Sequence, residues 1–506
     1  MAKKFFGGSS KGRFSGAKGP SPREPEQAAE ELDLELGTPE PNPEEVIPEI
    51  PEIPKVPEAP ETRQTESPSR RSKKEKKEKK EKKAKKKGSP LKVVSVLLAI
   101  LLFIELAYCL VIFTDLIPPV AKLRTIYIET AMSTMRHQWL AKALIPGDIV
   151  QAVVDSINQA QADQVGVNSG WDDVTEAPTE ETKSPSSGFS KDAAAEMLSL
   201  LAQDIGLSNE MDDFFELFHE LDEDSVLDYV DSHPEAVSSG WDKFYVNEAG
   251  LDDSGTTMKT NQGDQILAID AANGLMVIRI TGSTYKGVLV IGKDASRLMC
   301  APSSQWGQIG ERAGVIAEAN NGLVAMTGSG FGDTPGVAEG ADQAGGAMSN
   351  GVAMGTHYPW GYKRVELHLD NRLYITDADD RYSEGCTDAT EWTPALIVDG
   401  KVVVTAGDGY TALNPRACIG QTKDEAIMFL GIEGRKADSL GCDANECAEI
   451  LARYGAYQAM NVDGGTSAIL WYEGEYIMRC SNDALPEGRR LPNAWVYCAD
   501  TVPDPE

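Results

Sequence analysis

Residues 456–477 read AYQAMNVDGGTSAILWYEGEYI: an apolar run, a tight turn over Asn461-Val462-Asp463-Gly464-Gly465-Thr466-Ser467, and a second apolar run. Two consecutive glycines admit positive φ and let a ligand approach the main chain closely. Backbone N–H groups in such a turn can form an anion-binding nest. Asp463 is the candidate acid or base, and Asn461 and Ser467 are candidates to hold hydroxyls or phosphate oxygens. Taken alone, an Asp-Gly-Gly turn is more often a plain hairpin turn, so its surroundings decide the reading.

Immediately upstream, the sequence predicts a helix. Asp443 caps it, Glu446 completes a capping box, Cys447, Ile450, Leu451 and Tyr454 form the buried stripe, and Gly455 ends it. From Asp264 onward, short apolar runs separated by Gly, Asn and Asp read as strands, among them 265–269, 275–280, 287–292, 364–369, 372–376, 395–400 and 401–405. The fold class expected is α+β, with a mixed or antiparallel sheet and flanking helices in the C-terminal domain.

Three further segments accompany the turn. Arg416-Ala417-Cys418-Ile419-Gly420 precedes the helix, GRRLPNAW at 488–495 comes after the turn, and Thr327-Gly328-Ser329-Gly330-Phe331 lies well upstream. In this order the set resembles the phosphodiester glycosidase family, over roughly residues 260–500. The family pattern has an Asn-Gly-Gly-aromatic segment, an Arg-x-x-x-Gly segment, a helix, an Asn-Leu-Asp-Gly-Gly-Gly-Ser-Ser turn and a late Arg–Asn element. Here Thr466 stands for the third glycine, Ala468 for the second serine, and Thr327-Gly328-Ser329 for Asn-Gly-Gly. The resemblance implies hydrolysis of a sugar-1-phosphodiester. Asp463, Asn461 and Ser467 would be catalytic. Arg416, Arg489, Arg490, Asn493, Gly464, Gly465, Thr327 and Ser329 would bind substrate or phosphate. Guanidinium forks match phosphate oxygens bidentately, so the arginines are expected to converge on the pocket of Asp463.

Other residues carry weaker signals. His357, Tyr358 and Trp360, in GTHYPWGY, are candidates to line a sugar site, with packing the plainer reading. His368 alternates with Val365 and Leu367 and reads as structural. Asp377, Asp379 and Asp380 could offer oxygen ligands of the kind calcium takes, but they lack EF-hand spacing and a solvated turn is the plainer reading; no other cofactor is indicated. Of the eight cysteines, Cys109 lies in an apolar run, and the odd remainder predicts buried thiols with one or two disulfides.

The N-terminal half is of a different kind. Residues 1–90 are rich in Pro, Glu, Lys and Ser and are expected to be disordered and cytoplasmic. Arg70 to Lys87 holds 13 basic residues against three Glu, while the whole chain carries −31. This run lacks aromatic residues to stack on bases, so nucleic acid is excluded as the expected partner, and anionic lipid is favoured. Residues 93–113, VVSVLLAILLFIELAYCLVIF, are long enough to cross a membrane, and a transmembrane helix is placed at 91–114. Glu105 lies within it, either paired with another helix or simply tolerated. The positive-inside bias sets the C-terminal domain outside the cell, as in a bacterial-type membrane-anchored protein of the cell membrane. Residues 115–239 are assigned to juxtamembrane helices, a linker and an acidic helical spacer, and 240–506 to the domain with the chemistry. A fragment starting near Gly240 is expected to fold alone.

These readings leave two function classes. The first is a membrane-anchored extracellular hydrolase acting on envelope or exopolysaccharide sugar phosphodiesters. The second is a tethered polysaccharide-binding or assembly module without turnover, favoured by the altered Thr327–Ser329 segment.

Overall fold

The computed structural model describes residues 90–134, 137–171, 207–358, 361–404 and 410–505. Residues 1–89 and 172–206 lie outside the described residues, and with them the expected disordered region, the lysine run and the start of the acidic helix; so does Trp360.

The helices are α1 (Pro90–Phe113), α2 (Pro118–Met132), α3 (Gln138–Leu144), α4 (Gly147–Asp163), α5 (Leu207–Leu217), α6 (Glu223–Ser232), α7 (Ala313–Ala319) and α8 (Ala444–Arg453). One described helix, α1, is long and apolar enough to cross a membrane over Val94–Phe113, and its apolar side chains are largely exposed. The strands form three sheets, and every pairing among the described residues is antiparallel. The fold is thus α+β with antiparallel sheets.

The nine-stranded sheet is the middle layer. In spatial order, its inner strands are Ile266–Asp270, Leu275–Thr281, Lys286–Gly292, Ile427–Ile432, Arg416–Thr422, Ala456–Asn461 and Ala395–Val398. Side chains alternate across it. Cys418, Met428 and Leu430 face α8, where Cys447, Ile450 and Leu451 complete one core. Ala417, Ile419, Phe429 and Met460 face the two smaller sheets, meeting Val365 and Ile375 of one and Met326, Trp495 and Tyr497 of the other. The helix before the turn forms as its sequence dictates. Asp443 accepts from Glu446 N, the Glu446 side chain answers to Asp443 N, and Gly455 comes next with φ +82°.

Residues upstream of 240 are part of this core. Phe214, Phe218 and Leu221, spaced three and four apart on an otherwise acidic segment, pack with Trp241, Phe244 and the sheet residues Ile269 and Ile278. The boundary expected at 240 therefore falls inside a continuous apolar cluster, because a helix needs only one apolar stripe and its acidic face dominated the composition.

The segment after α1 also docks on the sheeted part of the chain. Glu129 of α2 accepts from Thr411 N and Oγ1 at 2.7 and 2.6 Å. Leu413 N donates to Thr130 Oγ1 and Asn414 Nδ2 to Ser133 Oγ. After α4, residues 164–171 run along the strand Leu373–Asp377. Gln164 exchanges two hydrogen bonds with Ala395, and the buried Lys363 ammonium donates to Gln164 O, Val167 O, Asn168 Oδ1 and Asp377. The polar composition that read as a linker supplies, over 164–171, capping groups for a sheet.

All eight cysteines are unpaired thiols, in contrast to the one or two disulfides expected, although the Cys442 and Cys447 sulfurs lie 3.1 Å apart.

Candidate active site

The turn at 461–467 lies where strand ends from all three sheets meet. Val462 N donates to Ala417 O at 2.9 Å, which ties the turn to the middle sheet. Asp463 N donates to Gly328 O at 3.3 Å, just past the strand Gly322–Thr327 of the five-stranded sheet. Both glycines are required where they stand. A Cβ on Gly464 would sit 2.9 Å from Pro415 O, and Gly465 has φ +62° while its N–H donates to that same carbonyl at 3.0 Å. That N–H is consequently engaged in the fold.

Asp463 is mostly withdrawn from solvent. Burial pushes its carboxyl from the ordinary 3.8 up to about 6, against the pull of a hydrogen bond with Ser467, the Arg489 charge and the Gly464 backbone, and with the Asp333 charge adding to the rise. Arg489 donates to Glu339 Oε1 at 2.8 Å, pairs with Asp333, and lays its guanidinium 4.2 Å from the centre of the Phe331 ring. The result is a carboxyl group that holds a proton close to neutral pH beside a fixed cation.

Residues 313–498 match the family model for phosphodiester glycosidases. Over this stretch the chain is similar to a phosphodiester glycosidase domain. The matched region is rather more than a third of the chain. A curated relative, the SPbeta prophage-derived uncharacterized protein YomE of Bacillus subtilis (strain 168), is 29% identical over 109 residues, 21% of this chain. The chain spans only 17% of the length of that relative. Among solved structures, the chain is similar to the catalytic domain of zebrafish N-acetylglucosamine-1-phosphodiester alpha-N-acetylglucosaminidase, auto-inhibited by its pro-peptide. That match has a TM-score of 0.38 and 16% identity, covering 44% of this chain and 82% of that one. A hypothetical protein from Synechocystis matches with a TM-score of 0.30 and 14% identity, over 46% and 63% of the two chains.

Within the matched region, the remaining expected residues separate into groups. Asn493 is buried beneath the 328–329 segment. Its Oδ1 accepts from Ser329 N at 2.8 Å, and its Nδ2 donates to Ser329 Oγ and Gln343 Oε1. A Cβ on Gly328 would fall 2.2 Å from Asn493 Oδ1, so glycine is obligatory there. The hydroxyl of Thr327 is buried without a hydrogen-bond partner. Asn461 does not face open space: its amide donates to Thr393 O and Val462 O.

Two arginines point elsewhere. Arg416 shares strand parity with Cys418, so its side chain lies on the α8 face, donating to Cys442 O at 3.2 Å and Ala412 O at 2.8 Å. Its Cα approaches Gly464, but its guanidinium is spent on these carbonyls. Arg490 donates to Gly310 O at 3.3 Å. The expectation that Arg416 converges with Asp463 is replaced by a different cation. Arg435, exposed at the rim of the turn, donates to Thr466 Oγ1 at 3.4 Å and Asn414 Oδ1 at 3.1 Å, and lies 3.3 Å from where a Gly465 Cβ would project. Sequence reasoning missed it. Its one local signal is the unusual φ of +59°, which sequence does not reveal.

Aromatic side chains lie on another side of the turn. Tyr362 is pushed above the ordinary range by burial, then by Tyr358, Asp463 and Glu391. It packs 5.5 Å from Trp392, whose ring leaves no room for a Cβ at Gly330. A cavity of about 490 Å³ lies against Tyr362 and Gly361, and its opposite wall is the end of α4, with Asn158, Gln161, Ala162 and the nearby Val165.

His357 is bonded to the buried Glu391, and His368 to the buried Glu366, both carboxylates also paired with Arg364. Asp377, from the acidic turn that offered oxygen ligands, accepts from Lys363 and Gly166 N. Glu366, His368 and Cys386 place ligand atoms within 4.8 Å of one another, and the Arg364 guanidinium, 3.3 Å from Glu366, lies beside the same carboxylate.

Proposed function

We propose that this chain is a membrane-anchored hydrolase that cleaves sugar-1-phosphodiester bonds of envelope or exopolysaccharide material outside the cell. The observation that carries the proposal is Asp463, a carboxyl lifted to about 6, next to Arg489 in a turn that only glycines allow. The leaving group in such a bond is a phosphate monoester, a weak base that needs only partial protonation. Asp463 transfers that proton, Ser467 fixes the carboxyl, and Arg489 and Arg435 meet the phosphate charge as it develops. The cavity beside Tyr362 takes the sugar. Support for the anchor comes from the apolar length of α1 and the lysine run before it, which favours a cytoplasmic N-terminus and contact with anionic lipid.

Turnover of a sugar-1-phosphodiester by the purified full chain, lost in Asp463→Asn, is the test; equal turnover in the variant would overturn the assignment. A second reading, a polysaccharide-binding module without turnover, is favoured by the 327–329 segment, whose Ser329 groups are taken up by Asn493. Saturable binding by the wild-type chain with no product would select it.

A further inference from the structure

Helix α1 is tied at its C-terminal end to the next three helices. Arg124 of α2 reaches back and donates to Ile112 O at 2.9 Å, Val111 O at 3.2 Å and Thr114 O at 3.3 Å, closing the C-terminal carbonyls of α1, while pairing with Asp115 at 2.6 Å. Ile112 packs into one small core with Ile128, Ala131, Ala141, Ile145 and Val150 of α2, α3, α4 and their connections. Tyr108 OH donates to Leu144 O at 2.9 Å. Tyr108 lies five residues before the end of the apolar run, about 7.5 Å along the helix at 1.5 Å per residue, so the end of α3 folds back beside the last turns of the span.

The outer face of this unit is apolar. Leu116, Leu123 and Tyr127 repeat at seven and four residues on α2 and its approach, and Ile117, Trp139 and Leu144 join them; Leu116, Leu123 and Trp139 are 76%, 65% and 61% exposed. Lys122 and Lys142 are exposed on the same helices. No described segment of the chain covers these side chains. A helix with aromatic and leucine side chains on one face and lysines beside them lies in the plane of a membrane interface, its apolar face about 5–10 Å deep. That depth agrees with the position of Leu144.

We propose that α2 and α3 form an interfacial collar seated in the outer leaflet around the end of α1, with a lipid surface as its partner. The inference rests on the reading of α1 as a membrane anchor. Lysine ammonium groups extend to phosphate headgroups while their stems stay with the acyl chains. The collar also fixes the glycosidase domain. Glu129, Thr130 and Ser133 on its inner face hold residues 411–414, and Asn414 holds Arg435 at the catalytic turn. The active site is therefore held at the bilayer surface rather than free on a tether.

The test uses the full chain in vesicles of phosphatidylethanolamine and phosphatidylglycerol. The photoreactive residue p-benzoylphenylalanine is placed singly at Trp139, Leu123, Leu102 within α1, or Val352, an exposed strand residue of the domain. Lipid adducts identified by mass spectrometry are expected at Leu102, Trp139 and Leu123, with none at Val352. Adducts at Leu102 but not at Trp139 or Leu123 overturn the collar while leaving the anchor standing. Cross-links from Trp139 and Leu123 to a second copy of the chain, in place of lipid, also overturn it. Absence of adducts at Leu102 overturns the anchor itself, and the collar with it.

Discussion

Asp463 is expected to destabilise the protein that depends on it. Its carboxyl titrates near 6 in the fold against 3.8 ordinarily, chiefly because burial disfavours the charged form. A raised carboxyl pKa means that the folded state binds the proton more tightly than the unfolded state. The penalty is therefore absent below the unfolded pKa, grows as pH rises from about 4 to about 6, and is fully present above it. At 1.36 kcal/mol per pH unit the penalty is about 3 kcal/mol. Asp463→Asn removes the ionisable group and keeps the shape, and Arg489 retains Glu339 and Asp333 as partners. Urea denaturation of the full chain in detergent at pH 8 is expected to show the variant more stable by up to about 3 kcal/mol, with the two proteins converging near pH 4. Asp388, also pushed up to about 6 by burial, is common to both proteins and cancels in the difference. The same substitution is expected to abolish turnover. In the wild type, a proton donor with this pKa predicts kcat/KM falling about tenfold per pH unit above 6. A variant that is less stable at pH 8, or a stability difference independent of pH, would refute the reasoning.

The arginines give a contrast. Arg435→Ala should weaken phosphate binding by about 1.5–3 kcal/mol with little change in stability, whereas Arg416→Ala should lower stability by about 1–3 kcal/mol and leave KM unchanged; kinetics and denaturation together separate them. Lys363→Met, which removes the ammonium from Gln164 O, Val167 O, Asn168 and Asp377, should cost about 1–3 kcal/mol and expose residues 164–171 to protease. A fragment begun near Gly240 loses Phe214, Phe218 and Leu221 from the core and should melt without a cooperative transition, where one begun near Gly147 is expected to melt as one unit.

Much of the fold was legible because its signals are local. The α8 capping box, its apolar stripe and the terminating Gly455 are all within thirteen residues, and the strands announce themselves by alternation between turns. The Asp-Gly-Gly turn and Arg489 were legible for the same reason, each lying in a short stretch with a chemical rationale. Arg416 was misplaced because its direction depends on strand parity relative to Cys418, which is fixed only once the pairing with Asn461 and Ile432 is known. Arg435 and Asp333 were invisible because they reach the site from distant loops. The contribution of residues 207–239 was hidden by their acidity, and that of 164–171 by their polarity; in both cases composition describes the face turned to water, not the one turned inward.

Residues 164–171 also decide what the domain shows to its neighbours. Leu373–Asp377 is the outermost strand of its sheet, and such a strand ordinarily displays a row of open backbone groups that invite pairing with another molecule. Here those groups are taken. Leu373 N donates to Gln421, Leu373 O accepts from Trp171 Nε1, Ile375 exchanges bonds with Ser169, and Asp377 N donates to Asn168. The stretch that follows α4 is thus also a guard against self-association. A molecule nicked within it would keep the turn around Asp463 yet offer neighbouring molecules a bare edge, and crowding would turn that edge into the seed of a precipitate.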